Sequence, residues 1–466
     1  MFQIKFQNSK KSNGVLVIDL EGEEFKKIPT SLRKYIQSQI KKGERVVSVP
    51  CLDQLSYENL VVYQLPKTKD AFDWRITGGK LARQLLSFKT SIQLCWEAKS
   101  SFAGVWLQGL SQGLYQWNQY KTKADKKVYS LIVKNFPKQA QVDLQIAECV
   151  FQCRDLVNTP AEDLGPEEFV KKAKVLCKGT TLKLSVLDYT QIKSTGLRCI
   201  DAVGRASPRK PKLIVIDYQA KGAKSKPLMS FCGKGVCFDT GGLGIKPSSA
   251  MELMRKDMGG AATVLSAMVG LAKTKAKTGH IRAYLPLVDN AIDGSAFRPG
   301  DILTAKDGTT IEIGHTDAEG RLILADSICL AKLAGSKNIM TVATLTGAAM
   351  VALGRIRVPM MGTSDSLQDK LEVSSEAQGE KVWKLPFDEE YHQLIKGKHA
   401  DITNSGPSEG SCITAGCFLS HFAGDTNFMH CDISPASWQT KDHDLGDEGA
   451  TGILVASLII LAKKLS

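Results

Sequence analysis

Three short segments combine glycine with acidic or basic side chains at places where an apolar strand should end. They are Gly233-Lys234-Gly235-Val236-Cys237-Phe238-Asp239-Thr240-Gly241-Gly242, Lys256-Asp257-Met258-Gly259-Gly260 and His315-Thr316-Asp317-Ala318-Glu319-Gly320-Arg321. In the third segment an extended backbone would point Asp317 and Glu319 the same way, and two carboxylates on one side call for a cation between them. Arg321 has the same parity, although Gly320 should break the strand before a helix from Leu322 to Leu333. Asp257, ahead of a Gly-Gly pair, fits either a ligand or a helix N-cap, a position at which Asp is preferred. Lys234 fits either a ligand or a solvated turn residue.

The zinc-peptidase signature H-E-x-x-H is absent and the seven histidines form no obvious ligand pair. A metal site must therefore be built from oxygen, with a lysine nitrogen as the one available addition. Oxygen-rich ligation suits Mn²⁺ or Mg²⁺ as well as Zn²⁺, and in hydrolases carboxylates can bridge two ions about 3.5–4 Å apart. A lysine coordinates only as the neutral amine, and adjacent dications would depress its pKa by charge repulsion.

Positioning three such loops requires a scaffold. Short apolar runs alternate with helical ones through the larger part of the chain: Leu182 to Leu187, Lys212 to Asp217, Leu228 to Cys232, a helix Gly260 to Lys273, then Ile281 to Leu287 and Asn338 to Leu345. Strands separated by helices predict a central, mostly parallel sheet covered on both faces. In such sheets ligands collect at the carboxyl ends of the strands, where loops carry the functional residues. Residues 1–140 mix strands (Gly14 to Leu20, Arg45 to Pro50, Asn59 to Leu65) with helical stretches such as Gly79 to Ser87, a small α/β unit without a catalytic cluster. An amphipathic helix, VDLQIAECVFQCRDLV, stopped by Asn158-Thr159-Pro160, links it to the rest. The expected fold is thus α/β: a small N-terminal domain, 1–140, joined by a helix to a larger catalytic domain, 141–466.

Composition narrows the class. The net charge of +13 is uneven: residues 1–140 hold 23 Lys and Arg against 11 Asp and Glu, the remainder 38 against 37. A basic surface can attract nucleic acid, although scattered lysines are more commonly a solvated face. None of the twelve cysteines forms a C-x-x-C pair, which points to free thiols in a reducing compartment. Cys149 with Cys153, and Cys232 with Cys237, could hold a metal, but small buried apolar residues are the commoner reading. The start, MFQIKFQNSKK, lacks the apolar run of a secretory signal, which predicts a cytoplasmic protein. The apolar run Gly452 to Ala462 is about half of the ~20 residues a membrane span needs, so it predicts a buried core helix and no membrane partner.

The segments GKGVCFDTGGLGIKP, LMRKDMGGAATVLSA and TDAEGRLILADSI closely resemble the signature blocks of the leucyl aminopeptidase (cytosol aminopeptidase) family, in matching order and with similar separations. RDLVNTPAEDL, TVATLTGA, HADITNSG and SCITAGCFL extend the likeness from about Arg154 to the C-terminus. Residues 1–140 correspond to the family's variable N-terminal domain by position alone.

Carried over by motif, the resemblance implies one divalent metal held by Lys234, Asp239, Asp257 and Glu319, and a second held by Asp239, Asp317 and Glu319 with the Asp317 carbonyl. It implies Lys246 and Arg321 as the two catalytic positions, and Met254, Thr344 and Gly347 as the lining of a pocket for an apolar first residue such as leucine or methionine. Water shared by two dications is a strong nucleophile near neutral pH, and the ions could also receive the substrate's free α-amine. Lys246 would stabilise the developing oxyanion. Arg321, whose guanidinium cannot give up its proton, would hold a bicarbonate as general base. The family likeness further implies a homohexamer acting on short peptides. Where the family most often has Asn before Thr-Asp-Ala-Glu-Gly-Arg, this chain has His315: it could orient a carboxylate, ligate a metal, or be a tolerated loop change. Two other functions are compatible with these features: nucleic-acid binding through the basic first domain, as in some bacterial members of the family, and a different two-metal hydrolase such as a phosphatase.

Overall fold

A computed structural model describes residues 15–51, 55, 58–88, 92–94, 100–123, 131–133 and 138–465. Gly14, Cys95 and the segment MFQIKFQNSKK lie outside these. The chain divides into two compact units: Met1–Ala147 with Glu376–Gly379 and Lys441–Glu448, and Glu148–Ser375 with Glu380–Thr440 and Gly449–Ser466. The division falls within the helix Lys138–Asn158, which ends just before Thr159-Pro160.

In the first unit five strands run in the order Val46–Pro50, Asn59–Tyr63, Val15–Asp19, Ile92–Leu94, Leu131–Val133, and only the first pair is antiparallel. The central strand is buried along its whole length. Its alternation feeds two cores, Val15 and Val17 into one with Trp106 and Leu110, Leu16 and Ile18 into the other with Ile36 and Leu60. The helix expected from Gly79 starts eight residues earlier, at Ala71, where Asp70 caps it by accepting from the Phe72 N–H at 2.9 Å. Gly78 and Gly79 do not open this helix; they lie inside it. A Cβ on Gly78 would come 2.1 Å from the Trp106 carbonyl oxygen, and one on Gly109 would come 1.9 Å from that of Arg75. The glycines are there to let the helices Ala71–Leu85 and Ala103–Gly113 approach backbone to backbone.

The second unit is built on a sheet in the order Val382–Lys384, Val358–Gly362, Asn427–Asp432, Asn338–Ala343, Met229–Gly233, His280–Asn290, Lys212–Gln219, Lys183–Leu187, with Gly235–Asp239 also pairing on His280–Asn290. The pairings are parallel except between Val358–Gly362 and Asn427–Asp432 and on both sides of Lys212–Gln219. The mostly parallel sheet is therefore present, with antiparallel strands towards its edges. The helices Gly259–Lys273 and Gly320–Leu333 both pack on its central strands. Leu324 and Ile328 of the second helix share a core with Cys232, Ile339 and Phe428, to which the first contributes nothing, so the two helices cover opposite faces. A three-stranded sheet of Ile302–Thr304, Thr310–Glu312 and Ile402–Thr403 flanks the site described below.

The C-terminal apolar run forms the helix Val455–Lys464, buried at every residue from Val455 to Ile459 and again at Leu461 and Ala462, and packed against Gly259–Lys273. Among the described residues no helix is long and apolar enough to cross a membrane. Eleven cysteines among the described residues are free and buried. Burial pushes the Cys149 and Cys153 thiols up to about 12.

Candidate metal centre

Lys234 occupies the break between the strands Met229–Gly233 and Gly235–Asp239, and its backbone is tied on both sides: its N–H donates to the Val342 carbonyl at 3.0 Å and its carbonyl accepts from Ala261 at 2.7 Å. Glycine on either side is required by the same closeness. A Cβ at Gly233 would lie 2.7 Å from the Gly260 carbonyl oxygen, and one at Gly235 would lie 2.4 Å from that of Pro286. Lys234 is thus no solvated turn residue; it is 3% exposed. Its Nζ stands 2.7 Å from Asp257 Oδ2 and 2.9 Å from Glu319 Oε1, and it donates to the Thr344 carbonyl at 2.9 Å.

Asp239 ends its strand with Oδ1 accepting from the Gly241 N–H at 2.9 Å and from Asn290 Nδ2 at 2.8 Å. Its Oδ2 lies 2.9 Å from Lys246 Nζ, which also pairs with Asp317. Asp257 lies in a 3₁₀ turn, Met254–Met258, and does not cap the helix that follows, whose N-cap is Met258 without a side-chain bond. Its Oδ1 accepts from Thr344 Oγ1 at 2.8 Å instead. Glu319 immediately precedes the helix Gly320–Leu333 and is 1% exposed, and its Oε2 has no hydrogen-bond partner among the described residues. Asp239, Asp257 and Glu319 each offer an oxygen, and these three atoms lie within 4.8 Å of one another.

The backbone from His315 to Glu319 differs from the extended strand expected of it. It turns, with the Ala318 N–H donating to the His315 carbonyl at 3.3 Å. Asp317 and Glu319 are therefore brought towards the centre by a turn and a helix start, one facing Lys246 and the other Lys234. His315 is exposed, and its Nδ1 accepts from the Asp317 backbone N–H at 3.0 Å, so it braces the turn that carries Asp317 through the main chain.

Burial of so many acids has an electrostatic cost. Desolvation, reinforced by Asp239, pushes the Glu319 carboxyl up to about 8, and desolvation, opposed by Lys234, pushes that of Asp257 up to about 6. Asp317 is raised for the same reasons, burial first and Asp239 next. Burial works against the charge on Lys234 and Lys246, but the surrounding carboxylates outweigh it and both amines are held well above their ordinary value. The donor set is hard oxygen plus amine nitrogen, and one of its buried oxygens has no partner. Divalent Mn, Mg or Zn fits such a set.

Arg321, in the first turn of its helix, is 7% exposed, donates from Nη1 to the Asn404 carbonyl at 2.7 Å and lies over the Phe418 ring. Burial pulls its pKa down to about 10, and its Nε has no hydrogen-bond partner among the described residues. Of the three residues expected to line a pocket, Met254 is half-buried in the turn that carries Asp257, Thr344 has its hydroxyl committed to Asp257, and Gly347 is exposed with open space where a Cβ would stand. Two residues the sequence reading passed over also hold the centre. Asn290 ties Asp239 to the Thr316 carbonyl, and Asp432 accepts from the Leu345 and Thr346 N–H groups, fixing the loop that presents the Thr344 carbonyl to Lys234. Asn290 ends the strand that had been expected to stop at Leu287, and nothing in its sequence setting distinguishes it.

The description "Cytosol aminopeptidase family, catalytic domain" belongs to a family model that matches residues 151–459. A probable cytosol aminopeptidase of Chelativorans sp. is 39% identical over 355 residues, 74% of this chain and 71% of that protein. The cytosol aminopeptidase of Coxiella burnetii superposes with a TM-score of 0.85 at 28% identity, covering 99% of each chain. A bottromycin maturation enzyme, BotP, solved in complex with Mn, superposes with a TM-score of 0.86 at 29% identity, covering 98% of this chain and 100% of that one.

Proposed function

The chain belongs to the cytosol aminopeptidase family and is a metal-dependent aminopeptidase, and from that premise we propose that it releases apolar N-terminal residues, leucine or methionine, from short peptides at a two-metal centre. The observation that carries the site is the approach of three buried carboxylates, Asp239, Asp257 and Glu319, to one another and to Lys234. Lys234, Asp239, Asp257 and Glu319 would hold one ion, and Asp239, Asp317 and Glu319 the other. Mn²⁺ or Zn²⁺ suits the donors, with Mg²⁺ as a weaker candidate. Bound there, the ions would supply Lewis acidity and a lowered pKa for water.

The chain's own groups then have separate tasks. Lys246, charged between Asp239 and Asp317, donates to the oxyanion that forms on the scissile carbonyl. Arg321 cannot serve as a base; its buried Nε, without a partner among the described residues, suits a small anion, and bicarbonate held there would take the proton from water. Lys234 ligates only after losing its proton, against the pull of Asp257 and Glu319. Met254 and Gly347 border the space for the first side chain. We assign residues 1–140 to the variable, basic domain and 141–466 to catalysis, in a cytoplasmic homohexamer. Light scattering that returned a monomer would remove the hexamer and leave the chemistry standing.

The test is hydrolysis of leucine p-nitroanilide by metal-stripped protein re-supplied with Mn²⁺ or Zn²⁺, beside the N-acetylated substrate and Glu319→Ala. Activity restored by metal, absent on the blocked amine and lost in the variant is the expected result. Phosphate-ester hydrolysis without peptide cleavage would replace this reading with another two-metal hydrolase.

A further inference from the structure

Among the segments that carry the family likeness, HADITNSG has no part in the chemistry assigned above, yet its Asn404 is fully buried beside the metal centre. The residue follows the short strand Ile402–Thr403, which pairs parallel with Thr310–Glu312, and its own N–H donates to the Glu312 carbonyl at 3.0 Å. That ladder delivers its carboxamide to the turn that carries Asp317 and Glu319. Oδ1 accepts from the Gly314 N–H at 2.8 Å and from the His315 N–H at 3.3 Å. Nδ2 donates to the His315 carbonyl at 2.8 Å and to the Ala318 carbonyl at 3.3 Å. The Asn404 backbone carbonyl accepts from Arg321 Nη1 at 2.7 Å.

Every hydrogen-bonding atom of this side chain is thus spent on the backbone of one turn, and the main chain of the same residue holds the guanidinium that follows it. Only an amide supplies this pattern: two acceptor lone pairs on one side and two donors on the other, in one plane. We propose that Asn404 is a positioning residue for the reaction, which fixes the placement of the Asp317 and Glu319 carboxylates relative to Arg321 through the Gly314–Ala318 turn. The inference rests on the reading of Asp317 and Glu319 as metal ligands, whose support by outer hydrogen bonds commonly matters 10–100-fold to affinity or rate.

The test compares Asn404→Asp and Asn404→Ala with Asn338→Ala, a control at another buried asparagine whose amide donates to the Leu228 carbonyl in the sheet, and with Glu319→Ala. Asn404→Asp keeps the volume and the acceptor and loses the donors to His315 and Ala318, so it carries the test if the alanine variant fails to fold. Three quantities are read: Mn²⁺ affinity of metal-stripped protein by calorimetry, kcat and KM on leucine p-nitroanilide at saturating Mn²⁺, and Tm. The expected result for the Asn404 variants is Mn²⁺ affinity down about 10–100-fold and kcat down about tenfold or more, with KM within about threefold. Asn338→Ala should lower Tm alone. Wild-type Mn²⁺ affinity and kcat in folded Asn404→Asp would overturn the proposal, as would equal losses of affinity in Asn338→Ala. If Glu319→Ala is inactive while Asn404→Asp is normal, only this inference fails; if Glu319→Ala retains activity, the metal centre itself has been misassigned.

Discussion

Loading the centre with metal should release protons. In the metal-free protein burial pushes the Glu319 and Asp257 carboxyls up, Glu319 to about 8 and Asp257 to about 6, while Lys234 is held well above its ordinary value. Each must be deprotonated to ligate. At pH 6 Lys234 and the raised Glu319 carboxyl both hold protons that an ion must displace, so binding should release at least one proton per chain. This pH is chosen because ionisation of water at the ions, with a pKa near 7, adds least there. The sign follows directly: raised folded pKa values mean that protons compete with metal, so affinity falls as pH falls through the window from about 8 to 6. Two protons correspond to about a hundredfold loss of affinity per pH unit. Above pH 9 the carboxyls are ionised; the proton of Lys234 remains to be displaced, and ionisation of water at the ions adds about one more. The assay is calorimetric titration of metal-stripped protein with Mn²⁺ in buffers of different ionisation enthalpy, at pH 6 and pH 9. Release of less than one proton at pH 6 would refute the reasoning, because it would mean that neither Glu319 nor Lys234 surrenders a proton to the ion.

Other outcomes follow from single residues. Lys246→Ala should lower kcat about 10²–10³-fold on leucine p-nitroanilide, ~2.7–4 kcal/mol of oxyanion stabilisation, with KM changed far less; equal losses in both constants would make Lys246 a binding residue. His315→Asn should behave as wild type in kcat and Mn²⁺ affinity, because the Asn side chain can accept the same Asp317 N–H. His315→Ala, which cannot, should lose Mn²⁺ affinity. Gly78→Ala should destabilise the protein by about 1–3 kcal/mol in urea unfolding, since its Cβ would meet the Trp106 carbonyl oxygen at 2.1 Å; an unchanged midpoint would show that the two helices do not depend on their close approach.

Much of the scaffold was legible because burial leaves a local signature. The strands Met229–Gly233 and Asn338–Ala343 read as short, mostly apolar runs because a parallel sheet covered on both faces buries every position. The helix Gly259–Lys273, buried at almost every residue, read in the same way. What escaped was set by partners far away in sequence. A lysine between two glycines has the local pattern of an exposed turn, and only the convergence of Asp257, Glu319 and the Thr344 carbonyl makes Lys234 a buried cation. Alternation along His315–Glu319 pointed Asp317 and Glu319 the same way from an extended backbone, whereas the segment turns under the hold of Asn404. Gly78-Gly79 imitated a helix boundary because close packing and chain breaking call for the same residue.

The account turns on two ions sharing the carboxylates of Asp239 and Glu319. Anomalous diffraction from crystals of the Mn²⁺-loaded protein tests this most directly. Two Mn peaks per chain about 3.5–4 Å apart, one beside Lys234 and Asp257 and the other beside Asp317, are what the account predicts. A single peak per chain, or a second one away from Asp317, would contradict it.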